Sequence, residues 1–124
     1  MLNLRDAVSP LIPLSAEGQR HTVLWGGTNP PEDLASLRAY LSSAQKLRLR
    51  MRMARADVEL SNHSFCDAGL QRMQQMLDDP QADNPFVLGP HRTQQYMRMI
   101  ETMLRGRIAD ATDAPAPTRA RHCC

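Results

Sequence analysis

The sequence predicts an α+β fold: an N-terminal hairpin, a long helix, a short strand and two further helices. Two observations carry the β part and one the α part. Ser9-Pro10-Leu11-Ile12-Pro13-Leu14 and His21-Thr22-Val23-Leu24-Trp25 are short apolar runs flanking the turn residues Ala16-Glu17-Gly18-Gln19. From Leu34 onward, apolar residues recur every three or four positions, the period of a helix face.

In chain order, residues 1–28 read as extended, with Pro10 and Pro13 confining the first run to a sheet edge or strand end. Gly26-Gly27 stops the second run. Pro30-Pro31-Glu32-Asp33 opens a helix, because prolines in a first turn lose no hydrogen bond and acids face the positive end of the dipole. Leu34, Leu37, Leu41, Ala44, Leu47, Met51, Ala54 and Val58 form its stripe. The strict alternation of Lys46–Met53 would suit a strand, but the longer period runs through it without a turn residue. Asp57-Val58-Glu59-Leu60 is a short strand ending at Ser61-Asn62-His63-Ser64. Ser64 and Asp67 have capping-box spacing for a second helix, with Leu70, Met73 and Leu77 expected on its buried side and Gly69 a weak point. Residues 78–85 form a loop, and Phe86-Val87-Leu88 is a short apolar segment. Gly89-Pro90 opens a third helix, whose apolar face is Tyr96, Met99, Ile100, Met103 and Leu104 and which is expected to fray near Gly106. Residues 1–109 then make one structured segment, and the Ala, Pro, Thr and Arg of 110–124 a disordered tail.

Composition narrows function by exclusion. Fifteen basic against thirteen acidic residues leave a net charge of +2, which excludes a histone-like electrostatic binder. Between Asp33 and Asp57 lie six basic residues and no acid, with Arg48, Arg52 and Arg55 on one helix face. A nucleic-acid surface is one reading, but only Tyr40 is interleaved, and the solvated side of an amphipathic helix outweighs it. Three cysteines, Cys66 and the terminal pair Cys123-Cys124, make no disulfide framework and fit a reducing compartment. No apolar run spans a membrane and no signal peptide opens the sequence, so the chain as written is expected to be cytoplasmic and to have no membrane partner.

Among single residues, Asp67 is explained by capping. Cys66 in a first helical turn lacks a local partner for nucleophilic chemistry and reads as a half-buried thiol. His21 and His91 read as surface or loop residues, and Trp25 as a core anchor. His63 stands apart because it follows a short strand in a polar turn, and sites in sheet folds gather at strand ends. An imidazole there can ligate a metal, with Ser61, Asn62 or Ser64 orienting it through hydrogen bonds.

Trp25-Gly26-Gly27-Thr28, the long helix, Asp57-Val58-Glu59-Leu60-Ser61-Asn62-His63-Ser64-Phe65, then Asn84-Pro85-Phe86-Val87-Leu88-Gly89 and Gln95-Tyr96-Met97 occur in an order that resembles the C-terminal part of metallo-β-lactamase-fold hydrolases. The likeness is greatest to the third subclass of β-lactamases and their relatives. It implies a partial αββα sandwich and, in a full-length relative, two zinc ions held at the strand ends. It places the family's last metal-binding histidine on His63, while Ser64 stands where the family often has proline. The family's H-x-H-x-D-H motif is absent from the 124 residues.

The implied chemistry is zinc-hydroxide attack on an amide or ester carbonyl, β-lactams included. A hydrolytic zinc needs about three protein ligands and an open position, so the chain alone is expected neither to hold zinc tightly nor to be active. A truncated gene product, a mis-assigned start codon or a degenerate copy would each give such a chain, and full-length relatives would be secreted or periplasmic. The alternative from another class is a small helical interaction module, self-associating or pairing through its Leu/Met stripes.

Overall fold

A computed structural model describes residues 3–4, 7–26, 30–63 and 65–113. The chain is α+β, with a three-stranded sheet and three helices. In order these are β1 (Asn3–Leu4), β2 (Ala7–Val8), β3 (Leu11–Ala16), β4 (Gln19–Gly26), α1 (Leu34–Met53), β5 (Val58–Ser61), α2 (Gly69–Asp78) and α3 (Pro90–Asp113). The small β1–β2 ladder lies within the stretch expected to be extended.

The hairpin forms as expected. Glu17 and Gly18, at φ 53° and 77°, make the two-residue turn between β3 and β4, with Ala16 opposite Gln19. Positive φ at both positions matches the twist of the flanking strands. The sheet order β3-β4-β5 leaves β3 at the edge, the one place where Pro13, which has no N–H to donate, does not break a central ladder. β5 pairs parallel to β4, Leu24 opposite Glu59 and Gly26 opposite Ser61, with α1 as the crossover.

α1 begins where Asp33 caps it, its Oδ1 accepting the Ser36 N–H at 2.8 Å. The alternating Lys46–Met53 stretch is helical, since Leu47 and Met51 bury on the face that Leu37 and Ala44 begin. The helix stops at Met53, so Ala54 and Val58 do not extend the stripe. Arg55 takes φ 52°, its N–H donates to the Arg52 carbonyl, and the Ala56 N–H donates to that of Met51 at 2.8 Å. This double closure ends a helix with a left-handed residue, a place that usually falls to glycine.

α1 and α3 pack together over one face of the sheet. Leu24, Leu37, Ala44, Leu47, Met51, Ala56, Met97 and Leu104 form the core. Thr93 is completely buried, its hydroxyl within 2.6 Å of the Ala56 carbonyl and 3.0 Å of the Pro90 carbonyl. α3 runs unbroken through Gly106 to Asp113, so it does not fray there and takes in the first four residues of the expected tail. Leu104 and Ile108, packed at the core, hold that last stretch. Residues 114–124, including Cys123 and Cys124, lie outside the described residues.

The other sheet face carries Ile12, Leu14 and Trp25 and is partly bare. Trp25 is 45% exposed and Leu14 50%, so Trp25 is not a core anchor. Val23 and Val58 on that face are buried, and Val87 bridges to Val58. Asp57 ties this region together. It accepts the Thr22 N–H and pairs with His21 Nδ1 at 2.6 Å, while its carbonyl takes the N–H groups of Leu88 and Gly89. His21 is therefore an enclosed strand residue rather than a loose surface one.

α2 departs most from expectation. It starts at Gly69, after Ala68 in a left-handed conformation, and buries none of its residues. Leu70, Met73 and Leu77 share a face, as their spacing dictates, but that face is exposed, Leu77 to 73%. Ser64, the other half of the expected capping box, lies outside the described residues. Among those described, no helix is long and apolar enough to cross a membrane.

Candidate functional site

β5 runs Val58-Glu59-Leu60-Ser61 and delivers its C-terminal end to a tight polar loop. The Asn62 N–H donates to the Gly26 carbonyl, continuing the pairing by one residue. Asp67 closes the loop from its far side, Oδ2 accepting the Ser61 N–H and Oδ1 the Gly69 N–H, both at 2.8 Å. Inside it, the His63 N–H donates to Ser61 Oγ at 3.0 Å, and the Cys66 N–H to the His63 carbonyl at 2.9 Å. The His63 ring lies 5.5 Å from that of Phe65, centre to centre.

Of the sequence candidates, the structure therefore brings Ser61 and His63 together. Ser61 fixes the backbone at His63, and Asn62 joins the strand through its own backbone. The expected capping box does not form: Asp67 lies before α2, whose N-cap is Ala68 with no side-chain cap, and it spends one oxygen on the Gly69 N–H and the other on β5. Cys66 is exposed rather than half-buried. His91 is exposed on the first turn of α3. Of the basic residues, Arg48 pairs with Glu101 of α3, and Arg55 closes α1.

His63, Ser61 and Cys66 line one end of a cavity of about 230 Å³ between the sheet and the α1–α3 pair. Its walls are mostly apolar, with Leu24, Ala44, Leu47 and Ile100 among them, and Glu59 and Tyr96 stand in them as polar groups. Glu59, 4% exposed, points to the helix side of the sheet, in register with Leu24. Burial, and then the negative charge of Asp67, push its carboxyl up to about 7, while Arg72 and a hydrogen bond from Tyr96 oppose the rise. Burial and the neighbouring Glu59 in turn push the Tyr96 hydroxyl well above its usual range, so it stays protonated and donates. Arg72 also lies 5.7 Å from the centre of the Phe86 ring, and its Nη1 is enclosed with no hydrogen-bond partner among the described residues.

No family model, curated protein or solved structure matches this chain.

Zinc, which the sequence resemblance implies, needs several converging donors. Among the described residues no three His, Cys, Asp or Glu side chains are grouped to hold a metal ion. Asp67 spends both oxygens on backbone N–H groups. His63 with its loop thus offers a single imidazole, and these residues alone do not fit a zinc site.

The Glu59–Tyr96 pair and Arg72 were not among the sequence candidates. One signal was present: Glu59 is the lone charge in Val58-Glu59-Leu60, a strand too short to have a solvated face of its own. The partners on α2 and α3 are distant in sequence and carry no local mark.

Proposed function

We propose that this chain is the C-terminal half of a metallo-β-lactamase-fold zinc hydrolase, acting on an amide or ester bond, a β-lactam among the candidates. In this reading the chain is inactive alone and contributes His63 as one metal ligand. The remaining ligands, including H-x-H-x-D-H, come from a first half-sandwich. One observation supports the reading above the others: the sheet is covered by α1 and α3 on one face, while Ile12, Leu14 and Trp25 remain exposed on the opposite one. A sheet of this kind buries its second face against another layer, and a second sheet is the partner that an αββα sandwich supplies. His63 at the end of β5 then sits at the strand-end position where such a fold gathers its site.

The experiment is to sequence and express the reading frame extended upstream of Met1. The expected result is an encoded H-x-H-x-D-H and a product that binds zinc and hydrolyses a chromogenic β-lactam or ester, with His63→Ala reducing both. An upstream stop codon and a native ribosome-binding site, together with cooperative folding of the 124-residue chain, would overturn it. So would sub-micromolar zinc binding by the 124-residue chain alone that His63→Ala abolishes, since the chain would then not need its complement.

A second reading is favoured by α2. Its exposed stripe of Leu70, Met73 and Leu77 suits an interaction module that buries this face against a partner or a second copy. Sedimentation of the wild type and of Leu77→Lys decides it, self-association in the first that is lost in the second being the supporting result.

A further inference from the structure

The cavity between β5, α1 and α3 has a feature that neither hydrolysis nor helix pairing uses. It is apolar over most of its wall, and among the described residues its one ionisable carboxyl is the buried Glu59. Tyr96 donates one hydrogen bond to Glu59, and a carboxylate has room for more. Among the described residues, the charged or titratable groups acting on Glu59 are Asp67 in the β5–α2 loop, Arg72 on α2 and Tyr96 on α3. Tyr40 on α1, His63 and Cys66 on the loop, and Ser9 and Ser61 add to the polar lining.

With Glu59 ionised the charges do not balance. Glu59 and Asp67 against Arg72 then leave one negative charge in excess, and Asp67 already has both oxygens on backbone N–H groups. An isolated buried charge is costly, which is the condition under which a counter-ion stabilises most. Size then limits the ligand. A dry apolar cavity of about 150 Å³ admits benzene, so about 230 Å³ accommodates roughly seven to nine non-hydrogen atoms.

We propose that this cavity binds a small primary alkylammonium ion, its ammonium group on the Glu59 carboxylate and its chain along Leu24, Leu47 and Ile100. The ammonium supplies the missing positive charge and up to three donors, while the hydrocarbon chain replaces a poorly filled apolar space. The inference does not depend on zinc or on a second half-sandwich, because Glu59 and these apolar residues lie on the helix side of the sheet.

Calorimetric titration of the 124-residue chain with n-hexylamine, fully protonated at neutral pH, and with 1-hexanol tests it. Hexylammonium is expected to bind about tenfold tighter than the alcohol, the scale of one charge-assisted hydrogen bond. Glu59→Gln is expected to erase that preference and retain alcohol binding. Ala44→Leu, which fills the cavity, is expected to weaken both. Equal affinity for the two ligands, an amine preference that survives Glu59→Gln, unchanged binding in Ala44→Leu, or no saturable binding would each overturn the proposal. If Glu59→Gln does not fold, the wild type decides through nuclear Overhauser contacts between the hexyl chain and the methyls of Leu24 and Ile100. Their presence supports the site and their absence overturns it.

Discussion

Arg48 of α1 and Glu101 of α3 form an ion pair across the interface of the two longest helices, with the glutamate side chain only 9% exposed. Gln94 of α3 adds a second tie, its Nε2 donating to the Arg48 carbonyl at 3.1 Å. The pair lies beside a core that includes Leu37, Met51, Met97 and Leu104. Removing the arginine strands a buried carboxylate. Arg48→Ala is therefore expected to cost about 2–4 kcal/mol in chemical denaturation, whereas Arg52→Ala, on the exposed side, changes stability by less than about 0.5 kcal/mol. Equal effects would mean that the basic run acts as one surface.

Glu59 gives the fold a pH dependence of definite sign. Its carboxyl is raised from 4.5 to about 7 on folding, so the folded chain holds a proton that the unfolded chain releases. The stabilisation is complete below about pH 4.5 and is lost as pH rises through 7. Its size is about 3 kcal/mol. Glu59→Gln keeps a partner for Tyr96 and removes the titration. Urea midpoints should fall from pH 5 to pH 8 in the wild type by more than in the variant, and parallel profiles would refute the assignment.

The end of α1 is strained at one residue. Arg55 holds φ 52° to let Arg52 and Met51 accept the closing hydrogen bonds. Arg55→Gly removes the side-chain conflict and is expected to stabilise the chain by about 0.5–1 kcal/mol, net of the entropy that glycine adds to the unfolded state. Thermal unfolding checks this, with Arg52→Gly inside the helix as the opposite-sign control.

Asp67 holds the His63 loop by two hydrogen bonds from backbone donors, and an amide in its place can accept with only one of its two terminal atoms. Asp67→Asn is expected to cost about 1–3 kcal/mol and to raise hydrogen exchange at Ser61 and Gly69 before it does so in α1. Uniform exchange across the chain would mean that the loop is held by something else.

These features differ in how openly the sequence announces them. The hairpin was legible because turn chemistry is local: Glu17-Gly18 sits between two β-favouring runs, and Pro13 marks the edge. The start of α1 was legible in part: the proline and acid cluster marks it, but Pro30 and Pro31 precede the helix instead of forming its first turn, and Asp33 is its N-cap. Its end was not, because Arg55 occupies the place where glycine would have signalled a stop. The stripe of α2 was legible as a stripe, but periodicity tells which residues share a face and not whether anything covers it. The site was half legible. His63 could be singled out as the residue after a strand, whereas the cavity beside it depends on Glu59 and Tyr96, which meet only through the parallel pairing of β5 and the packing of α3.

That parallel pairing also carries a folding cost. β3 and β4 need only a two-residue turn to meet, so their ladder is local and can form within microseconds. β5 meets β4 only across a loop that holds all of α1, and the entropy of closing it is offset by burial of residues such as Leu24 and Met51 in the core. The pairing with the longer loop to close is thus the one that carries His63 at its end. The position of the His63 loop is set by a long-range pairing and not by its own local sequence.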